Sequence, residues 1–206
     1  RMLKDNMEPT YINNTIIENH TGMGVYANCY SIAMSNSLVN NCGNYCVALT
    51  GGGDYLFTHN TIANYWTGST RKAEALFFNN YYTNPTDGET YVVPFECDMI
   101  NSIIYGSRSN EFGTDFYPIN DTMYKFKNSL ICSQRPHPEQ LYESCVFNQA
   151  PNFKNTAEFD FHLDTLSPAI GIANPCYAIG DLQFDLDGVA RGNRPDAGSY
   201  QYVIPE

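Results

Sequence analysis

Asn14-Thr15-Ile16-Ile17, Asn36-Ser37-Leu38-Val39 and Asn60-Thr61-Ile62-Ala63 repeat one phrase: an Asn, a hydroxyl residue, then two mostly apolar residues. The phrase returns as Asn101-Ser102-Ile103-Ile104 and Asn128-Ser129-Leu130-Ile131, with a degenerate copy, Asn80-Tyr81-Tyr82-Thr83, in the gap. The six Asn stand 22, 24, 20, 21 and 27 residues apart. A near-constant period of this size marks a repeat architecture. Between copies lie short extended pieces such as Tyr30–Met34, Tyr45–Leu49 and Asp54–Thr58, punctuated by Gly, Asn and Asp as turns require.

Strands this short cannot bury a face alone. Stacked coils solve the problem, because each strand then pairs in parallel with its copy one turn on, ~4.8 Å along the axis. The repeat therefore predicts an all-β parallel β-helix of about six coils, a rod roughly 25–30 Å long. Ile16, Leu38, Ile62, Tyr82, Ile103 and Leu130 are the expected interior stack. The recurring Asn suits a bend, since it tolerates the left-handed region and its amide can bond to the Asn of the next coil. Gly68–Lys72 and Asn84–Gly88 are expected as loops leaving the coil, and Ser133–Glu139, with two prolines, as a further insertion.

Composition agrees. Charged residues are only 16% of the 206 and aromatics 14%, which argues against a helix bundle, a coiled coil or a disordered chain. The net charge of −11, with no basic cluster beyond Arg71-Lys72, excludes a nucleic-acid partner. No apolar run is long enough to span a bilayer. Arg1-Met2-Leu3-Lys4-Asp5 shows no apolar signal-peptide region, and the pattern starts abruptly, as in a processed chain or a fragment. Seven Cys without a Cys-x-x-Cys give a structural zinc site little support. Most are expected as small buried hydrophobes, although Cys42 with Cys46, or Cys132 with Cys145, could pair in an oxidising compartment.

After Asn148 the pattern changes, and the chain closes on Asp185-Leu186-Asp187-Gly188, Arg191, Arg194 and Pro195-Asp196-Ala197-Gly198-Ser199-Tyr200. This ending, with the Asn-Thr-Ile phrases before it, resembles bacterial right-handed parallel β-helix repeat proteins whose terminal segment is called a choice-of-anchor Q domain. The resemblance implies a right-handed β-helix on a secreted or cell-surface protein, often of polysaccharide-degrading bacteria, and no specific activity. Residues 1–148 are then coils continuing a longer upstream helix, and 149–206 a terminal coil and cap. Phe159, Phe161, Leu163, Ala169 and Ile170 are expected to cover an open end.

Three functions fit. Carbohydrate binding needs flat aromatic faces, and Tyr65, Trp66, Tyr81 and Tyr105 follow successive anchor Asn residues, so they are the candidates for a platform on one flank. A lyase needs a base and a neutraliser for a uronate, for which Arg71, Lys72, Arg108, Lys125 and Lys127 are candidates; surface salt bridges are their ordinary use. A glycosidase needs paired carboxylates: Glu96 and Asp98 share one side of a strand and could line a groove with Glu74 and Asp115. The third function is a spacer or adhesin stalk. No motif demands a cofactor. Calcium is the one candidate, at Asp185 and Asp187, where a salt-bridged turn is the plainer reading. The leading expectation is binding of a polysaccharide or other glycan.

Overall fold

The computed structural model describes residues 8–118 and 122–204, which form an all-β structure built on parallel ladders. The chain runs through β1 (Thr10–Asn13), β2 (Ile16–His20), β3 (Val25–Ser35), β4 (Leu38–Cys42), β5 (Val47–Thr58) and β6 (Thr61–Asn64). There follow β7 (Leu76–Asn79), β8 (Tyr81–Thr83), β9 (Thr90–Val92), β10 (Phe95–Ile100), β11 (Ile103–Gly106) and β12 (Phe112–Asp115). The last are β13 (Thr122–Lys127), β14 (Leu130–Ile131), β15 (Tyr142–Glu143), β16 (Val146–Phe147), β17 (Phe153–Asn155) and β18 (Asp160–Leu163).

Three ladders emerge from the pairing. Ladder one joins β1, the second half of β3, the second half of β5, β10, β13 and β15. Ladder two joins β2, β4, β6, β11, β14 and β16. Ladder three joins the first halves of β3 and β5 to β7 and β12. The long strands serve two ladders because they bend, β3 at Cys29 (φ 52°) and β5 at Gly51–Gly53, all at positive φ. Among the rows turned inward are Ile12-Met34-Phe57-Met99-Phe126-Tyr142, Ile17-Val39-Ile62-Ile104-Ile131-Phe147, and Val25-Val47-Leu76-Phe112. Together these rows form one continuous apolar core. Near-unbroken Val, Ile, Leu and Phe is what strands buried on a parallel sheet require.

The Asn phrase is a bend, with one slip. Residues 14, 36, 59, 101, 128 and 144 occupy equivalent corners, and Asn14, Asn36, His59, Asn101, Asn128 and Ser144 all have φ between 47° and 55°. The third corner is thus His59 and not Asn60. Asn60 does the work of the hydroxyl residue: its Oδ1 accepts from the Ser37 N–H at 3.1 Å, as Ser37 Oγ accepts from Thr15 N–H and Ser102 Oγ from Asn60 N–H, each at 3.1 Å. Two expectations change in consequence. Ile16, Leu38, Ile103 and Leu130 face outward, and their neighbours Ile17, Val39, Ile104 and Ile131 fill the interior beside Ile62. Asn80–Thr83 is not a coil copy: Tyr81–Thr83 pairs antiparallel with β9 in a hairpin that lengthens the step between the His59 and Asn101 corners to 42 residues.

The C-terminal segment does not sit on an end of the stack. Phe161, Leu163, Ala169, Ala197 and Tyr200 pack across the outward face of ladder two, on Leu38, Ala63, Ile103 and Leu130. Its closing motif does the docking. Arg191, 2% exposed, donates to the Asn36 corner amide at 2.8 Å, Gly198 N–H donates to Asn101 O at 2.8 Å, and Ser199 N–H to Thr61 Oγ1 at 3.0 Å. Asp196 accepts from the N–H groups of Gly171 and Tyr202 at 2.6 and 2.7 Å. At the last strands of ladders one and two, β15 and β16, the Ser133–Glu139 insertion packs instead, its His137 ring on Phe147 with centroids 3.5 Å apart.

Candidate functional site

The hairpin of β8 and β9 leaves ladder three just after β7. Asn80 anchors its base, exchanging two 2.8 Å hydrogen bonds with the backbone of Tyr117. Side chains alternate across a strand, so Tyr81 and Tyr82 serve opposite faces. Tyr81 meets Tyr117 edge-on at 4.9 Å and its hydroxyl donates to the Asp115 carboxylate, which pushes the phenol pKa up. Tyr82 stacks on Tyr91 at 5.4 Å, and Tyr91 hydroxyl donates to Asp87 at 3.3 Å. Tyr117 is 49% exposed and Tyr91 43%. Asp115 belongs to β12, so this patch continues onto the outer face of ladder three. One row there runs Tyr26-Ala48-Phe77-Gly113, with Tyr45 stacked on Phe77 at 5.0 Å and the Glu74 carboxylate lying over Gly113. Rings alternating with small residues, beside carboxylates, make a surface that can stack on a pyranose and accept its hydroxyls.

The four aromatics picked from sequence find different partners. Tyr81 is in the patch. Tyr65 packs on Phe153 and Phe161 at 6.3 and 6.1 Å under the C-terminal segment, and burial pushes its phenol up. Tyr105 lies against the Ile103–Leu130 cluster, half-buried, its phenol also raised by burial. Trp66 holds a loop closed, its indole N–H donating to Ser69 Oγ at 3.0 Å. The four do not form one flank. Tyr117, which does join Tyr81, and Tyr91, which stacks on Tyr82 instead, went unselected because neither follows an anchor Asn.

The charged candidates are mostly engaged. Arg71 is buried, not presented: its guanidinium grips Glu111 through two bonds of 2.6 and 2.7 Å, and donates to Ala73 O and Asn64 O. It is therefore no base or uronate neutraliser. Lys72 beside it is exposed. Arg108 donates to Arg71 O at 3.1 Å. Glu96 and Asp98 do face one way, outward from ladder one, yet Glu74 and Asp115 lie on ladder three, so the four carboxylates line no common groove. Lys127 pairs with Asp98 at 3.2 Å and Lys125 with Glu143 at 3.3 Å. Glu111 escaped notice because its single-residue context is unremarkable; only its fully buried position gives it meaning.

In the C-terminal segment, Asp185 Oδ1 accepts from the N–H groups of Asp187 and Val189, and Oδ2 from Gln201. Asp187 is bonded to His162. Among the described residues no group of three or more His, Cys, Asp or Glu side chains is arranged to hold a metal. All seven thiols are free. No helix of the described residues is long and apolar enough to cross a membrane. No family model, curated protein or solved structure matches the chain.

Proposed function

We propose that this chain is a right-handed parallel β-helix, with a terminal segment of the choice-of-anchor Q kind, from a secreted or cell-surface bacterial protein that binds a glycan. What supports the binding reading is the tyrosine pair Tyr81 and Tyr117 on one face of the hairpin, set beside Asp115 and continuous with the outer face of ladder three, with a second pair, Tyr82 and Tyr91, beside Asp87 on the hairpin's opposite face. An insertion at one corner of a repeat is a common place for function. The carboxylates around it favour a neutral glycan over a polyuronate, because they repel a uronate, and Arg135, which meets β12 one residue before Asp115, is engaged with Thr114 Oγ1 and O.

The test is affinity electrophoresis against neutral and uronic polysaccharides, with mass spectrometry of the recovered glycan. Retardation by a neutral polymer that stays intact, lost in Tyr117→Ala, is the expected result. Cleaved glycan would replace binding by catalysis, and equal retardation of Tyr117→Ala would move the site off the hairpin.

A further inference from the structure

His162 lies outside the proposed site, and both of its ring nitrogens face carboxylates. Nδ1 stands 2.6 Å from Asp160 Oδ1 and Nε2 2.7 Å from Asp187 Oδ2. An ionised carboxylate only accepts, and a neutral imidazole has one donor nitrogen. Only the imidazolium satisfies both contacts. Tyr200 adds a second preference for charge, its ring centroid 4.0 Å from that of His162, within cation–π range.

We propose that His162 is a pH-operated clasp, an imidazolium that ties β18 to the Asp185–Gly188 turn and so fastens the C-terminal segment over ladder two. The tie is placed to matter. Asp160 and His162 alternate on β18 with Phe161 and Leu163, which face the sheet, and Asp185 holds the other end of the turn to Gln201 beside Tyr200. Every charged neighbour has a sign. Asp160 and Asp187 favour the imidazolium directly; Lys154 acts on Asp160; Asp185 and Glu18 act on the Tyr200 hydroxyl. Partial burial of the ring opposes its charge, but the hydrogen bonds to Asp187 and Asp160 prevail and hold the imidazole above its ordinary value. A group raised in the folded state stabilises fully below its unfolded pKa and loses that contribution as pH rises through the folded pKa. The clasp is closed on the acid side and opens on the alkaline side.

The experiment is an NMR titration of the histidine ring C–H signals in the full chain, with amide exchange read as protection factors so that intrinsic rates cancel. His162 is expected to titrate above the ordinary histidine value of ~6.5, and Asp187→Asn to lower that titration. Protection across β18 and the 185–189 turn should fall as pH rises through the His162 midpoint, and should lose this pH dependence in His162→Gln. Titration at or below the ordinary value in the unmodified chain overturns the proposal, as does protection that falls equally in His162→Gln. Should His162→Gln not fold, the unmodified chain and Asp187→Asn decide it alone.

Discussion

Replacing Glu111 by Ala should cost this protein a large part of its stability. The carboxylate is fully buried and meets four donors: Arg71 Nη1 and Nη2, Ala75 N–H at 2.9 Å and Arg108 N–H at 2.9 Å. Its removal strands a guanidinium that is 3% exposed. Breaking one side of a buried pair costs about 3–5 kcal/mol, and each orphaned backbone donor up to about 1–3 more, although water admitted to the gap relieves part of the sum. A loss of about 4 kcal/mol is expected. For a domain of this size that is roughly an 8–16 °C fall in Tm, and most of a marginal protein's reserve.

Urea unfolding followed by far-UV circular dichroism would read the loss as a lower midpoint at unchanged slope. The informative control is Arg71→Met with Glu111→Leu. That pair leaves no stranded charge, so it should cost less than Glu111→Ala despite carrying two changes. A loss below about 1 kcal/mol for Glu111→Ala is the range of an exposed pair and would refute the burial on which the estimate rests. A double variant worse than the single one would instead show that Arg71, through Asn64 O and Ala73 O, holds the 65–74 loop by itself.

Gly198→Ala should loosen the C-terminal segment by about 1–3 kcal/mol, since its φ of 96° is strained for alanine and the new Cβ would lie 2.7 Å from Thr61 Oγ1; limited proteolysis after residue 150 would report it. His59→Asn should make the fold less sensitive to acid. Burial, then Arg191, holds the His59 imidazole well below its ordinary value, so its neutral form is secure above ~6.5 and stability drains as pH falls below that. Unfolding midpoints at several pH values should separate on the acid side between parent and variant and agree above neutrality. Arg191→Met should uncouple the segment from the Asn36 corner, seen as faster amide exchange at Ala197–Ser199 with little change along ladder one.

The period was legible in the sequence because bending and stacking constrain few atoms. A left-handed corner favours Asn, a backbone N–H from the neighbouring corner wants a side-chain oxygen one residue later, and both leave letters in the chain. The phase was less legible. Asn60 is an Asn doing a serine's task, and aligning it with Asn36 slips the strand by one residue, which exchanges inside for outside. The same slip placed Leu38 and Ile103 in the interior. Nothing local corrects it, because both rows of ladder two are apolar: one faces the core and the other the C-terminal segment. The hairpin misled for a similar reason, since Asn80-Tyr81 repeats the opening of the phrase while its partner strand at Thr90–Val92 lies outside the period.

The docked segment also narrows where a partner can bind. A stack of three ladders has three outer faces, and ladder two's is covered by residues 153–202, whose Arg191, Asp196, Gly198 and Ser199 are committed to holding it. Ladder one's face carries Asp98 and Lys127 in a pair and, beside them, exposed Tyr11, Leu56 and Met123. Ladder three is left with Tyr26 and Phe77 separated along the axis by Ala48, with Tyr45 stacked on Phe77 and Glu74 lying over Gly113. The hairpin adds Tyr81 and Tyr117 at the edge of that same face through Asp115. Tyr65 and Tyr105 failed as candidates because the closing motif brings a cover to ladder two, and Tyr81 survived because it sits on the face that the motif leaves open.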